Sequence, residues 1–317
     1  MATRMKIAIL DDYQNVATSL ADWGSLVAEV VVFTEPFADA DEVVRSLAGF
    51  DVLVAMRERT RFPAEVLERL PDLRLLVSTG PANAAIDLTA AHRLGITVCG
   101  TRYESHATIE HTWALILGAT RNLDVEAESM RAGGWQVSVG EGLHGRTLGI
   151  LGLGRVGSGV ARIGQAFGMD TIAWSRNLTP ETAAEHGVRA VTKERLFTES
   201  DALSIHVQLS KRTRGLVGAA ELRSMKPSAV LVNTSRGPVV DEVALIDILR
   251  ESAIRAAALD VYDTEPLPAD HPLRALPNAL LTGHVGYVNR DLYEIFYQDS
   301  VEDIAAFQAG SPVRLMK

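Results

Sequence analysis

The stretch from Gly145 to Gly157, Gly-Arg-Thr-Leu-Gly-Ile-Leu-Gly-Leu-Gly-Arg-Val-Gly, constrains this chain more than any other part of it. An apolar strand, Thr147 to Leu151, runs straight into G-x-G-x-x-G at Gly152, Gly154 and Gly157. An amphipathic helix follows, with Val156, Val160, Ile163 and Phe167 on one face. The order has a physical purpose. Gly152 allows a tight turn, Gly154 lets the backbone approach a pyrophosphate, and Gly157 lets helix and strand pack closely. Unpaired amides at the helix start, helped by the helix dipole, then hold phosphates. Many tight strand-to-helix turns bind nothing. Here the strand before and the helix after are both legible, so the segment reads as a dinucleotide site.

Strand-like and helix-like patterns alternate along the whole chain, which points to an α/β fold with parallel sheets. Early strands are expected at Lys6–Leu10, Asp51–Ala55, Leu73–Ser78 and Ile96–Val98. Helices between them are expected at Asp41–Ala48, Pro63–Leu70, with the proline in the first turn, and Asp87–Leu94. A complete small α/β unit therefore precedes the glycine loop, which a single nucleotide-binding domain would carry at its start. His106–Arg121 has helical periodicity and a broad apolar face, which suits a helix crossing between domains. Later strands are expected at Thr171–Trp174, Ala202–His206, Ala229–Asn233, Ala256–Asp260 and Ala279–Thr282. A final helix, about Asp291 to Ala309, has no strand of its own to cover and is expected to pack back on the first domain.

Size and charge bound the function. A chain of 317 residues with 47% hydrophobic residues can fill two cores. A net charge of −9 argues against nucleic acid, which demands a basic face. Cys99, the one cysteine, lies beside the apolar run Ile96–Val98 and reads as a buried, inert thiol suited to a reducing cytoplasm. The first apolar run, Lys6–Leu10, is too short for a signal-peptide core, and no run approaches the length of a membrane span. A soluble, cytoplasmic protein is expected.

Ligands of open α/β sheets bind outside the carboxyl ends of the strands, and three strand ends here carry unusual side chains. Val230–Ser235 runs into Arg236-Gly237. Ala256–Asp260 is followed by Val261-Tyr262-Asp263-Thr264-Glu265-Pro266. Leu280–Gly283 leads to His284. Arginine grips a carboxylate in a two-pronged, charge-assisted manner. Histidine gives or takes a hydroxyl proton, and a carboxylate partner fixes its tautomer. Singly, such residues are more often a loop salt bridge, a turn and a structural imidazole. Together, at adjoining strand ends after a dinucleotide loop, they form a set suited to a 2-oxo acid.

With these residues in hand, the chain resembles the D-isomer-specific 2-hydroxyacid dehydrogenases, the family of D-lactate, hydroxypyruvate and 3-phosphoglycerate dehydrogenases. The matching motifs are Gly152-Leu153-Gly154-Arg155-Val156-Gly157, Met225-Lys226-Pro227 through Arg236-Gly237, Leu259-Asp260-Val261 with Glu265-Pro266, and Gly283-His284-Val285-Gly286. Upstream, Asn83-Ala84-Ala85-Ile86-Asp87 and Glu110-His111-Thr112 extend the likeness over essentially the whole length. The resemblance implies two Rossmann-like, doubly wound parallel-sheet domains. The substrate domain would be split between residues 1–101 and 287–317, with a dinucleotide-binding domain at 102–286. Arg236 would bind the substrate carboxylate and carbonyl oxygen, His284 would be the acid–base group, and Glu265 its partner. Asp260 would sit near the nicotinamide, with Gly286 and the backbone around Thr234 beside it. Arg155 and Val156 would offer amides to the pyrophosphate, while His206 and Thr213 would line the adenosine side. The reaction implied is hydride transfer between NAD or NADP and a small 2-oxo or 2-hydroxy acid, and the family is usually a homodimer through its nucleotide domains.

The chain departs from the pattern in three places. After the strand Thr171–Trp174 stand Ser175 and Arg176, where an NAD-specific site usually has a carboxylate for the ribose hydroxyls. Serine does not repel a 2′-phosphate and Arg176 can pair with one, so NADP is favoured over NAD; a solvated surface arginine is the plain alternative. In Ser78-Thr79-Gly80-Pro81-Ala82-Asn83, the family's loop gives two successive amides to the substrate carboxylate, here from Pro81 and Ala82. Proline has no N–H to give. Gly80 and Ala82 remain substrate-binding candidates, and Arg57 and Arg59 are candidates to compensate, against an equal case for two exposed loop arginines. The third departure is Gln208, where relatives commonly carry proline. Of the rival functions, a non-catalytic dehydrogenase-like corepressor or binding protein shares the fold. A metal hydrolase finds no ligand cluster, since His106 and His111 lie five apart on different sides of a helix; no metal is expected.

Overall fold

The apolar runs become parallel strands, most of them buried on both faces, and the amphipathic stretches between them become helices. The computed structural model describes residues 4–317 and divides into two compact units. One unit takes the chain up to Glu104 together with Val288–Lys317, and the other is Ser105–Tyr287. The first boundary falls three residues after the expected one, at Ser105, the residue that directly precedes the helix His106–Arg121.

The unit formed by the chain ends holds strands β1 (Met5–Ile9), β2 (Ala28–Val32), β3 (Val52–Ala55), β4 (Leu75–Ser78) and β5 (Thr97–Gly100). They pair in parallel in the order β2-β1-β3-β4-β5. Helix Arg290–Gln308, capped by Asn289 whose Oδ1 accepts from the Leu292 amide at 2.9 Å, packs here against β4 and helix Ala17–Leu20. Tyr293 and Tyr297 are core residues of this unit, the latter meeting Trp23 edge to face. Cys99 is buried, and burial pushes its thiol up to about 12.

The Ser105–Tyr287 unit holds β6 (Thr147–Leu151), β7 (Asp170–Trp174), β8 (Arg189–Ala190), β9 (Ala202–Ile205), β10 (Val230–Asn233), β11 (Ala256–Leu259) and β12 (Ala279–Leu281). Their order is β12-β11-β10-β9-β6-β7-β8, all parallel. Alternate residues of β10 serve opposite cores: Leu231 packs with Leu203 and Leu259, while Val230 and Val232 pack with Leu148 and Ile150. The strand order reverses between β6 and β9, and the crevice at such a reversal is where these sheets bind ligands.

Three local expectations need correction. β2 and β8 escaped the sequence reading, being edge strands, one half-exposed and the other only two residues long. The helix expected over Pro63–Leu70 is only Ala64–Leu67, with Pro63 at its N-cap rather than within its first turn. Pro71 disfavours helical backbone at Leu70, and the chain closes with short bonds from Arg69 to Val66 and from Leu70 to Leu67.

Candidate active site

The glycine turn shows three different demands. Gly152 has φ +101, and a Cβ there would meet the His206 carbonyl oxygen at 2.8 Å, so the turn after β6 lies against the end of β9. A Cβ at Gly157 would stand 2.2 Å from the Gly152 carbonyl oxygen, so the helix Arg155–Ala166 can sit on its strand only with glycine there. A Cβ at Gly154 would meet nothing within 4 Å. The protein's own packing does not require that glycine. Bare backbone facing open space at a helix start, with Arg155 exposed and Val156 half-buried beside it, fits a pyrophosphate.

Around this turn lie the other expected cofactor residues. Ser175 and the exposed Arg176 follow β7, the neighbour of β6, in a turn closed by Leu178 N–H donating to Ser175 O at 3.1 Å. His206 directly follows β9, and its Nε2 lies 2.8 Å from Ser204 Oγ. Desolvation holds that imidazole well below its ordinary value, at about 3, so it is neutral at working pH. Thr213 shapes the loop after it, donating to Gln208 O at 2.6 Å and accepting from Ser210 N at 2.8 Å.

The three strand-end residues sit on loops that approach closely. Asn233, buried at the end of β10, accepts from Ser235 N at 3.0 Å and donates to Arg236 O at 3.0 Å, which turns the chain at Arg236. A Cβ at Gly237 would lie 2.0 Å from the Tyr262 carbonyl carbon. Only glycine lets the Arg236 loop lie against the loop after β11. In that loop the Tyr262 amide donates to Glu265 Oε1 at 2.9 Å, and Glu265 Oε2 faces His284 Nδ1 at 2.5 Å. A carboxylate can only accept, so Nδ1 carries its hydrogen and Nε2 is left for other chemistry. His284 is half-buried, its backbone is left-handed with φ 54, and its ring meets Tyr287 edge to face at 5.6 Å.

Asp260 lies behind this loop, 1% exposed. Its Oδ1 accepts from Thr282 Oγ1 at 2.6 Å and the Val285 amide at 2.8 Å, and its Oδ2 accepts from the Gly286 amide at 2.8 Å. Burial opposes its charge, but hydrogen bonds from His111 and Thr282, the imidazole beside it and the Val285 amide hold the carboxyl below its usual range. Thr234 is reached from the helix His106–Arg121 by Thr112, with the two hydroxyls 2.8 Å apart. Thr282, Asn233 and Tyr262 stand in the sequence only as strand-end and motif positions, where nothing in residue type or spacing assigns them the roles seen here.

In the unit formed by the chain ends, Arg57 follows β3 in left-handed backbone, φ 52. Its amide donates to Thr79 Oγ1 at 2.8 Å and its Nη1 to Thr79 O at 2.9 Å, while Asn83 Nδ2 donates to its carbonyl at 2.5 Å. The guanidinium lies directly over Gly80, where a Cβ would be 1.7 Å from Nη1. Pro81 and Ala82 are exposed. Arg59 is turned elsewhere, donating to Asp11 O at 2.7 Å and lying 4.4 Å above the Tyr13 ring. Among the described residues, no group of three or more His, Cys, Asp and Glu side chains could hold a metal ion, and no helix is long and apolar enough to cross a membrane.

Comparison with known proteins matches residues 113–286 to the profile of the D-isomer specific 2-hydroxyacid dehydrogenase family, NAD binding domain. A glyoxylate reductase of Aeropyrum pernix is 43% identical over 261 residues, 79% of this chain and 78% of that protein. A D-3-phosphoglycerate dehydrogenase of Archaeoglobus fulgidus is 34% identical over 86% of this chain, which spans only 52% of that longer relative. Among solved structures, a phosphoglycerate oxidoreductase from Vibrio cholerae superposes with a TM-score of 0.91 at 39% identity, covering 97% of this chain and all of the other.

Proposed function

The chain belongs to the D-isomer specific 2-hydroxyacid dehydrogenase family, and from that premise we propose that it interconverts a 2-oxo acid and its D-2-hydroxy acid, with His284 as the acid–base group. The pair of His284 Nδ1 and Glu265 Oε2, 2.5 Å apart, carries this conclusion. With Nδ1–H held by the carboxylate, Nε2 can donate a proton to a carbonyl oxygen during reduction and take it back from the hydroxyl during oxidation. Glu265 steadies the imidazolium form that reduction requires. Arg236, on the loop fitted against Tyr262 through Gly237, would grip the carboxylate and carbonyl oxygen of the acid. Taken by itself, the unit formed by the chain ends offers Arg57 over Gly80, with Ala82, as anion-binding groups in place of the missing Pro81 amide.

A nicotinamide dinucleotide, when bound, supplies or accepts the hydride. Gly152, Gly154, Gly157, Arg155 and Val156 would hold its pyrophosphate, His206 and Thr213 its adenosine side, and Thr234, Asp260 and Gly286 the nicotinamide side. Ser175 and Arg176 favour NADPH. The Ser105–Tyr287 unit is then the dinucleotide-binding domain and the other the substrate domain. A homodimer would form through residues 123–139, where Leu123, Met130, Trp135, Val137 and Val139 are exposed, the last 88%. Val139→Asp should then convert a dimer to a monomer in light scattering. The single buried thiol suits the cytoplasm.

The test is a panel of 2-oxo acids, from glyoxylate, hydroxypyruvate and pyruvate to bulkier aryl and branched acids, assayed with NADH and NADPH in parallel. On the best substrate, His284→Ala should lose about a hundredfold or more in turnover. Arg236→Lys, which keeps the charge but removes the planar fork, should also be badly impaired. A wild type without turnover on any of these acids, or a His284→Ala variant with wild-type turnover, defeats the proposal.

A further inference from the structure

His111 has no part in the chemistry above, yet it stands against the loop that carries His284. It lies on the helix His106–Arg121, with its Nε2 3.0 Å from Thr282 Oγ1 and 3.3 Å from Asp260 Oδ1. The Thr282 hydroxyl spends its hydrogen on Asp260 Oδ1 at 2.6 Å. Its oxygen can therefore only accept from His111, which fixes the hydrogen on Nε2. Asp260 then takes the two amides that directly follow His284, those of Val285 and Gly286. Space is tight as well, since a Cβ at Gly286 would stand 2.9 Å from Asp260 Oδ2 and 3.7 Å from His111 Cδ2.

His284 occupies left-handed backbone, which a residue bearing a Cβ disfavours. Such a conformation persists only where its surroundings over-determine it. The surroundings here are Asp260 and the donors that fix it. Without His111, Asp260 keeps its loop amides but loses the Nε2 hydrogen that is shared between Thr282 Oγ1 and its own Oδ1, and with it the tie to the helix His106–Arg121. The loop is then free to relax towards ordinary backbone, which carries Nδ1 away from Glu265.

We propose that His111 is a positioning residue for His284: through Thr282 and Asp260 it fixes the 282–286 turn in the form that brings His284 Nδ1 onto Glu265. The proposal rests on the reading of His284 as the acid–base group, but the geometry it asserts can be measured without turnover. The proton shared by His284 and Glu265 should give a downfield NMR resonance, assigned by its loss in Glu265→Gln. His111→Leu should abolish that resonance and lower kcat roughly tenfold to a hundredfold with little change in KM for the 2-oxo acid. His111→Gln, which keeps an N–H at similar reach, should preserve both. Thr282→Val removes the bridging hydroxyl and should act like His111→Leu, and it serves if the leucine variant does not fold. A wild type lacking the resonance, a folded His111→Leu or Thr282→Val with wild-type signal and kcat, or a His111→Gln as damaged as the leucine variant overturns the proposal. If no 2-oxo acid is turned over while the resonance still depends on His111, the dehydrogenase reading fails and the positioning role stands.

Discussion

At the scale of single residues, two glycines of one motif answer to different partners. Gly157 is demanded by the protein, since its Cβ would lie 2.2 Å from backbone that cannot move without moving β6. Gly157→Ala should cost about 1–3 kcal/mol of stability through overpacking. Gly154 meets nothing and has φ −97, open to any residue. Gly154→Ala should change stability by less than about 1 kcal/mol, yet weaken dinucleotide binding by about tenfold or more. Melting curves and a dinucleotide titration on both variants decide the matter; unimpaired binding by Gly154→Ala would mean nothing approaches that backbone. Cofactor choice belongs to this scale too. Arg176→Ala should weaken NADPH by about tenfold, the worth of one charge-assisted bond, and leave NADH nearly untouched. Ser175→Asp should move preference towards NADH. A wild type that clearly favours NADH and ignores Arg176→Ala would make that arginine a solvated one.

Among the elements, the chain's last strand-like segment is tied to β5 by backbone hydrogen bonds and to helix Arg290–Gln308 by charge. Leu315 bridges Cys99, and Met316 N–H donates to Val98 O at 2.9 Å. Arg314 anchors it, its Nε 3.0 Å from Asp303 Oδ1 and its Nη1 3.0 Å from Glu302 Oε2. Asp303 is buried with Oδ2 unpartnered among the described residues. Burial outweighs the pull of Arg314 and raises its carboxyl to about 7. The folded state therefore holds the Asp303 proton more tightly than the unfolded state does. The stability it contributes is complete below the unfolded value of 3.8 and is lost as pH rises through about 7. Asp303→Asn should flatten this loss, so that melting temperatures at about pH 6 and about pH 8.5 differ less than in the wild type. An unchanged pH dependence would show that Asp303 is ionised throughout.

At the scale of the whole molecule, the fold is interrupted: residues up to Glu104 need Val288–Lys317 to complete their unit. Helix Arg290–Gln308 buries Phe296, Tyr297 and Ile304 in that unit. A chain ending at residue 287 should keep the Ser105–Tyr287 unit folded while the first unit loses its core. Limited proteolysis should then cut residues 1–104 and spare 105–287. Equal protection of both would mean that the five-stranded sheet stands without its helix.

Features that depend on local order were legible before any fold was known. Apolar runs bounded by turn residues gave β6 its limits to the residue, and 3.6-residue periodicity did the same for His106–Arg121. Arg236, Glu265 and His284 stood out as candidates because strand ends are where such folds place unusual polar side chains, and the contact between His284 and Glu265 is present in the structure. Local order could not place β2 or β8, whose strand geometry comes from pairing at a sheet edge rather than from an apolar core on both faces. Nor could it place His111, which lies 171 residues from Thr282 in the chain and meets it only because helix and sheet pack. The left-handed turn at His284 has the same origin. Histidine enters left-handed backbone more readily than most residues, but here it is held by Asp260, which gathers two amides and a hydroxyl from one loop and is backed by His111.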